Sequence, residues 1–189
     1  IVIKTNLKNL CKMCGITGFI ATRSLDYKNT LDTMVSKMNH RGPDSSGIWF
    51  DENLKMGLGH ARLSIVDLSE TGHQPMKSNG GRYCICFNGE IYNYLEIKKE
   101  LESQFEFKTT SDTEVLLHAY MAWGEDCLEK CNGMFSFAIW DIQNQSLFAA
   151  RDRFGVKPFY YGFLEESFVF ASEIPTLWEA GIQKQTTDA

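Results

Sequence analysis

Apolar and polar positions change their period several times along the chain, and each change marks an element. CGITGFIA, from Cys14, has the composition of a strand, whereas Leu31, Met34, Val35 and Met38 fall at i, i+3, i+4 and i+7, one apolar face of a helix over residues 29–39. HRGPDSSG breaks that helix. Strands are predicted next at SGIWF, around LGHARLSIVD, and at RYCICFNGEIY, which is rich in the aromatic and β-branched types that suit a pleated surface. A second helix is predicted from about Asn93 to Phe105. A third begins at Ser111, where Glu114 three residues later gives the pattern of a capping box, and its apolar face is Val115, Leu116, Ala119 and Trp123. From Gly133 the pattern returns to strands in GMFSFAIWD, SLFAARD, KPFYYGF and SFVFASE, with QNQ and LEE as turns; the polar tail after Glu173 is expected to be loosely held. Strands, then helices, then strands again predict an α+β protein with helices packed on stacked sheets rather than a βαβ array.

Composition narrows what such a protein can do. At 189 residues, 43% apolar and 13% aromatic, the chain suits one domain with a sizeable core. A net charge of -5, a pI near 5.4 and scattered Lys and Arg leave no basic stripe, which argues against nucleic acid as a partner. No apolar run approaches the roughly 20 residues of a membrane helix, and the opening IVIKTNLKNLCK lacks the apolar core of a signal peptide, so a cytoplasmic protein with no membrane partner is expected. The six cysteines suggest neither a disulfide framework nor a zinc ribbon. Cys84 and Cys86 share one face of their strand and read as small core residues. Cys127 and Cys131 stand four apart, and His118 cannot complete a metal site with them, so no metal is expected.

An internal cysteine is ordinarily an inert core residue, and Cys14 changes that reading through its neighbour. Met13 precedes it, and a chain starting there and losing its Met would present Cys14 as residue one. A free α-amino group, with a pKa near 7.7 to 8.0, could then serve as general base for its own thiol, which an amide nitrogen cannot do. Residues 1–13 are therefore expected to be an extension outside the mature protein. On residues alone the other polar positions have structural readings: a surface ion pair for Arg62, a turn or bulge at Asn88-Gly89-Glu90, and a capping or dipole-compensating carboxylate for Asp112 at a helix start.

In order, CGITGF, HRGPDSSG, GHARLSIVD, FNGEIYN, TSDTEV, GMFSFAIWD and RDRFGVKPFYY resemble the glutaminase domain of asparagine synthetase, a class II glutamine amidotransferase. The resemblance spans Cys14 to Glu173. It implies a four-layer αββα sandwich of two stacked antiparallel sheets, of the N-terminal nucleophile hydrolase type, with Cys14 as the nucleophile. It further implies that Arg62 grips the α-carboxylate of glutamine, assisted by backbone groups of Ile65 and Val66. Asn88 and Gly89 would supply an oxyanion hole, and Glu90 with Asp112 would face the substrate ammonium. His40, His60, His73 and His118 receive no proton-transfer role and are expected to be hydrogen-bonded structural histidines. RDRFGVKPFYY would lie towards the synthetase domain; read alone, it is a hairpin with cationic edges.

The domain expected is residues 14–173, with 174–189 the start of a linker to a C-terminal synthetase domain outside this chain. The phosphate-binding SGGxDS of such a domain is not matched, since Ser78-Asn79-Gly80-Gly81 lacks the required continuation. No cofactor is expected for this chain; ATP and Mg are implied for the synthetase domain, and a homodimer for the parent enzyme. GHARLSIVD stands where sugar-phosphate and phosphoribosyl amidotransferases typically carry a GHTR-type motif. Two alternatives stay open: a parent enzyme with another acceptor acid, and a non-catalytic binding or structural module with a blocked N-terminus.

Overall fold

A computed structural model describes residues 13–22, 26–63 and 72–181. The elements follow the order β1 (Gly15–Ile20), α1 (Tyr27–Lys37), β2 (Ser45–Asp51), β3 (Met56–Arg62), β4 (Met76–Lys77), β5 (Tyr83–Ile91), α2 (Tyr94–Leu101), α3 (Asp112–Trp123), α4 (Cys127–Lys130), β6 (Gly133–Asp141), β7 (Ser146–Arg151), β8 (Tyr160–Leu164), β9 (Ser167–Ala171) and α5 (Ile174–Glu179). All pairings are antiparallel. One sheet has the strand order β2-β3-β1-β9-β8 and the other β4-β5-β6-β7.

The period of two along each strand generates four layers. Ile16, Met56, Leu58 and Phe170 of the first sheet pack on Cys84, Cys86, Ala138 and Trp140 of the second, forming the core between the sheets. The alternate residues face outward. Phe19, Val169 and Ala171 meet Leu31 and Met34 of α1, while Ile85, Phe87, Phe137 and Ile139 meet Ile97 of α2 and Val115 of α3. The architecture is the αββα sandwich that the resemblance implies. Cys84 and Cys86 lie fully buried on one face, and that burial pushes the Cys84 thiol up to about 12.

The helix starting at Ser111 is capped as its sequence predicts on one side only. Ser111 Oγ accepts from Glu114 N at 3.3 Å, but the Glu114 carboxylate turns back further, to Lys108 N at 2.9 Å and to Thr109 N and Oγ1 at 2.7 and 2.8 Å. The segment before the helix is thereby folded onto it. The second helix ends at Leu101 rather than Phe105, whose N–H still reaches Leu101 O at 3.0 Å. β4, two residues long, has no alternation to reveal it.

Residues 174–181 depart from the loose tail expected after Glu173. Pro175 opens α5, where its missing N–H costs nothing, and Leu177 and Ala180 pack beside Phe19, Leu31 and Met34. Lys37 of α1 pairs with Glu179 at 3.0 Å. Six residues are too few for a helical period to show in the sequence. Among the described residues no helix is long and apolar enough to cross a membrane.

Candidate active site

The polar site occupies one end of the space between the sheets, where the inward-facing rows of the strands change character. Along β3, Met56 and Leu58 give way to His60 and Arg62; along β5, Cys84 and Cys86 give way to Asn88 and Glu90; and Cys14 precedes Ile16 of β1 by two positions. The same alternation that buries the core thus aims these side chains into one cavity of about 340 Å³. Cys14, Arg62, Asn88, Gly89, Glu90 and Asp112 all line it. The structure brings together every described residue for which the sequence analysis raised a substrate or catalytic role. Ile65 and Val66 lie outside the described residues.

Cys14 Sγ is held by main chain alone among the described residues: Leu63 N donates to it at 3.3 Å and the thiol donates to Leu63 O at 3.6 Å. Burial pushes the thiol up from its ordinary value, against the opposing pull of the Leu63 bond and of Lys157, Arg62 and Arg41. The thiol is protonated at neutral pH and needs a base to become a nucleophile. His60 is not poised as one. It is buried, its Nε2 lies 3.2 Å from Phe87 O, and burial lowers its pKa to about 3. His118 stacks on Phe105, and His40 lies against Glu173 at 2.9 Å, so neither reaches this cavity's lining.

Asn88 is 1% exposed, and its Nδ2 has no hydrogen-bond partner among the described residues. A buried amide donor in that condition costs stability, of order 1 to 3 kcal/mol, unless a ligand supplies an acceptor. Gly89 adds a second donor by strand geometry. Phe87 N–H points away from β6, to Gln74 Oε1 at 2.6 Å, and Ile91 N–H does likewise, to Asp112 Oδ2 at 3.0 Å. By the alternation of an antiparallel strand, Gly89 N–H lies on that same edge between them, where β4 has already ended. Only glycine fits at this position, since a Cβ would overlap Met134 O of β6.

Asp112 is the first residue of α3, the helix-start position read from sequence, and its carboxylate is engaged by β5 as well as by the helix. Burial raises its pKa, the Ile91 and Thr113 N–H groups oppose that, and Glu90 raises it further. Two carboxylates therefore face one cavity and repel, an arrangement that a bound ammonium would relieve.

Three lining or neighbouring residues carried no role in the sequence reading. Arg41, 6% exposed, donates through Nε to Cys14 O at 3.1 Å and through Nη1 to Glu173 Oε1 at 3.0 Å, so it fixes the backbone at Cys14. Lys157 is buried with its Nζ 3.4 Å from Met13 Sδ. Its loop is built by Asp152, which accepts from Phe154, Val156 and Lys157 N–H, and by Arg151, which donates to Gly155 O and Lys157 O, both at 2.6 Å. Gln74 is the third. The signal available for all three was membership in the matched or adjoining motifs HRGPDSSG, RDRFGVKPFYY and GHQPM.

A part-buried thiol, a buried amide donor without a partner among the described residues, and two facing carboxylates thus lie together at one end of an αββα sandwich of the N-terminal nucleophile hydrolase type. The fold is shared with the structure of glutamine phosphoribosylpyrophosphate amidotransferase from B. subtilis, at a TM-score of 0.74 and 23% identity over 89% of this chain and 44% of that one. Residues 13–189 match the glutamine amidotransferase domain model, and the chain belongs to that family. It is 46% identical over 170 residues to asparagine synthetase [glutamine-hydrolyzing] 3 of Bacillus subtilis, covering 87% of this chain and 27% of that protein. It is 43% identical over 178 residues to the putative asparagine synthetase [glutamine-hydrolyzing] 2 of Methanocaldococcus jannaschii, covering 86% of this chain and 34% of the relative. The chain thus spans about a quarter to a third of these relatives.

Proposed function

We propose that this domain hydrolyses glutamine to glutamate and ammonia, and that the ammonia serves ATP-dependent conversion of aspartate to asparagine by a synthetase part of the parent protein. The observation that carries the reading is the buried Asn88 amide, without an acceptor, in the same cavity wall as Cys14. In the catalytic form Cys14 is the first residue. Its α-amino group takes the thiol proton, and Sγ attacks the side-chain carbonyl carbon of glutamine. Asn88 Nδ2 and Gly89 N–H receive the resulting oxyanion. As the tetrahedral species collapses, the amide nitrogen leaves as ammonia with the proton returned to it, and water then hydrolyses the thioester to glutamate. Arg62 holds the α-carboxylate, with Ile65 and Val66 assisting through their backbone, while Glu90 and Asp112 hold the ammonium, so free glutamine is selected at both charged ends.

ATP and Mg belong to the synthetase part. In this reading the synthetase part packs beside the loop from Asp152 to Lys157, a reading supported by Phe154, 93% exposed on a scaffold fixed by Asp152 and Arg151. A protein of this build, retaining Met13 or preceding residues, has an amide nitrogen at Cys14 and would act only as a binding module. Glutamate release by protein beginning at Cys14, with Cys14→Ala as the blank and a Met13-retaining form alongside, tests the reading. Release confined to the Cys14-first form supports it; none from that form, folded, overturns it. Arg62→Ala is expected to raise the KM for glutamine tenfold or more, in the range of about 1.4 kcal/mol, with kcat little changed. An unchanged KM removes its assigned role.

A further inference from the structure

We propose that Gln74 is a positioning residue that couples the oxyanion-binding strand to the ammonium-binding helix; this rests on the glutaminase reading above. Gln74 is 7% exposed and lines the cavity. Its Oε1 accepts from Phe87 N at 2.6 Å, and its Nε2 donates to Thr113 Oγ1 at 3.2 Å. Each contact lies one residue from a group assigned to substrate: Phe87 precedes Asn88, and Thr113 follows Asp112.

The backbone of β5 explains why a side chain is needed there. Among the described residues β4 pairs with β5 only at Met76↔Ile85 and Lys77↔Cys84, so beyond Ile85 the β4-side edge of β5 presents the N–H groups of Phe87, Gly89 and Ile91 with no described strand paired to them. Gln74 satisfies the first and Asp112 the third, and between them Gly89 N–H, which no hydrogen bond among the described residues is shown to engage, faces the cavity edge. Gln74 thus continues the β4 ladder by one side-chain bond and keeps the edge from shifting towards β4 or fraying. Its amide is a two-ended strut, because the acceptor end is occupied by the strand and the donor end by α3. The Gln74 backbone is itself seated against Gly47 of β2, where a Cβ would overlap Gln74 O, so the strut is anchored in both sheets. Phe87 O, on the same strand edge as its N–H, in turn approaches His60 Nε2 of β3 at 3.2 Å, so the same residue is held by a second side chain.

A strut of this kind acts on both kinetic constants, whereas loss of one end acts on one. Thr113→Val removes only the helix end. It is expected to raise the KM for glutamine about three- to tenfold with kcat within twofold, and Thr113→Ser, which restores the hydroxyl, should return KM to the parent value. Gln74→Met removes both ends at similar volume. It should raise KM by a comparable factor and also lower kcat about tenfold or more, because the oxyanion donors are no longer held in register. The same substitutions placed in the Cys14→Ala protein and titrated calorimetrically with glutamine read the binding component without turnover: Thr113→Val and Gln74→Met should both weaken glutamine. If the Cys14→Ala parent itself fails to bind glutamine, the glutaminase reading falls and this role falls with it. If the parent binds and hydrolyses, but folded Gln74→Met and Thr113→Val match it in KM, kcat and Kd and differ only in Tm, Gln74 is a stability element and the coupling is overturned.

Discussion

Replacing Asn88 by Ala is expected to lower kcat for glutamine hydrolysis by a hundredfold to a thousandfold while leaving the unfolding midpoint unchanged or slightly raised. The two halves of that result come from one observation. Asn88 Nδ2 is buried without an acceptor among the described residues, so the free protein carries the cost of a desolvated donor that Ala would relieve. The same donor gains its acceptor when negative charge develops on the glutamine carbonyl oxygen. Removing one preorganised donor of this kind is worth about 2.7 to 4 kcal/mol of transition-state stabilisation. KM should move far less than kcat, because the interaction is made chiefly in the transition state. A fold-stabilising role would give the opposite pattern, a lower midpoint with the turnover of the folded fraction intact. A loss of kcat below about threefold would take Asn88 out of the oxyanion hole.

Much of this site was legible because strand alternation and motif spacing carry the same information twice. In RYCICFNGEIY the period of two places Cys84, Cys86, Asn88 and Glu90 on one face, and the structure buries the first two between the sheets and opens the last two to the cavity. Arg62 shares the inward parity of β3, but read alone it suggests a surface ion pair, and its substrate role comes only from the resemblance carried by GHARLSIVD. Asp112 takes the helix-start position that its residue reading gives it, and its carboxylate also accepts from Ile91 N of β5 at the cavity edge. What sequence could not supply is partnership at a distance. Gln74 takes its meaning from residues 13 and 39 positions away, and Lys157 from a loop closed by Asp152 and Arg151. A lone polar residue beside a proline has no local pattern that separates such a strut from a solvated turn. The helix α5 escaped for a different reason: its burial comes from packing on α1, not from a period of its own.

Below neutral pH, His60 should dominate a loss of stability that a neutral replacement abolishes. Its ring is buried on the floor of the cavity, and burial is the main cause of its depressed pKa, with Arg62 and His73 adding to it and the Phe87 carbonyl opposing. The folded pKa is about 3 against an ordinary value of 6.5. The unfolded chain therefore takes up a proton at this residue near pH 6.5, and the folded chain does not until about pH 3, so unfolding is favoured progressively as pH falls through that window and the stability present above pH 6.5 is lost within it. One proton corresponds to about 1.4 kcal/mol per pH unit, hence on the order of 3 kcal/mol between pH 6.5 and pH 4. Against a total of roughly 5 to 15 kcal/mol for a domain, that is enough to matter. His60→Gln keeps a neutral donor for Phe87 O and removes the titration. Urea unfolding of both proteins at pH 7 and pH 4 isolates the residue, because the carboxylates common to the two cancel in the difference. The parent should lose about 3 kcal/mol more than the variant across that interval. Equal losses would mean that the imidazole takes up its proton in the folded state without penalty, and that the site beneath Asn88 and Arg62 admits a charged ring.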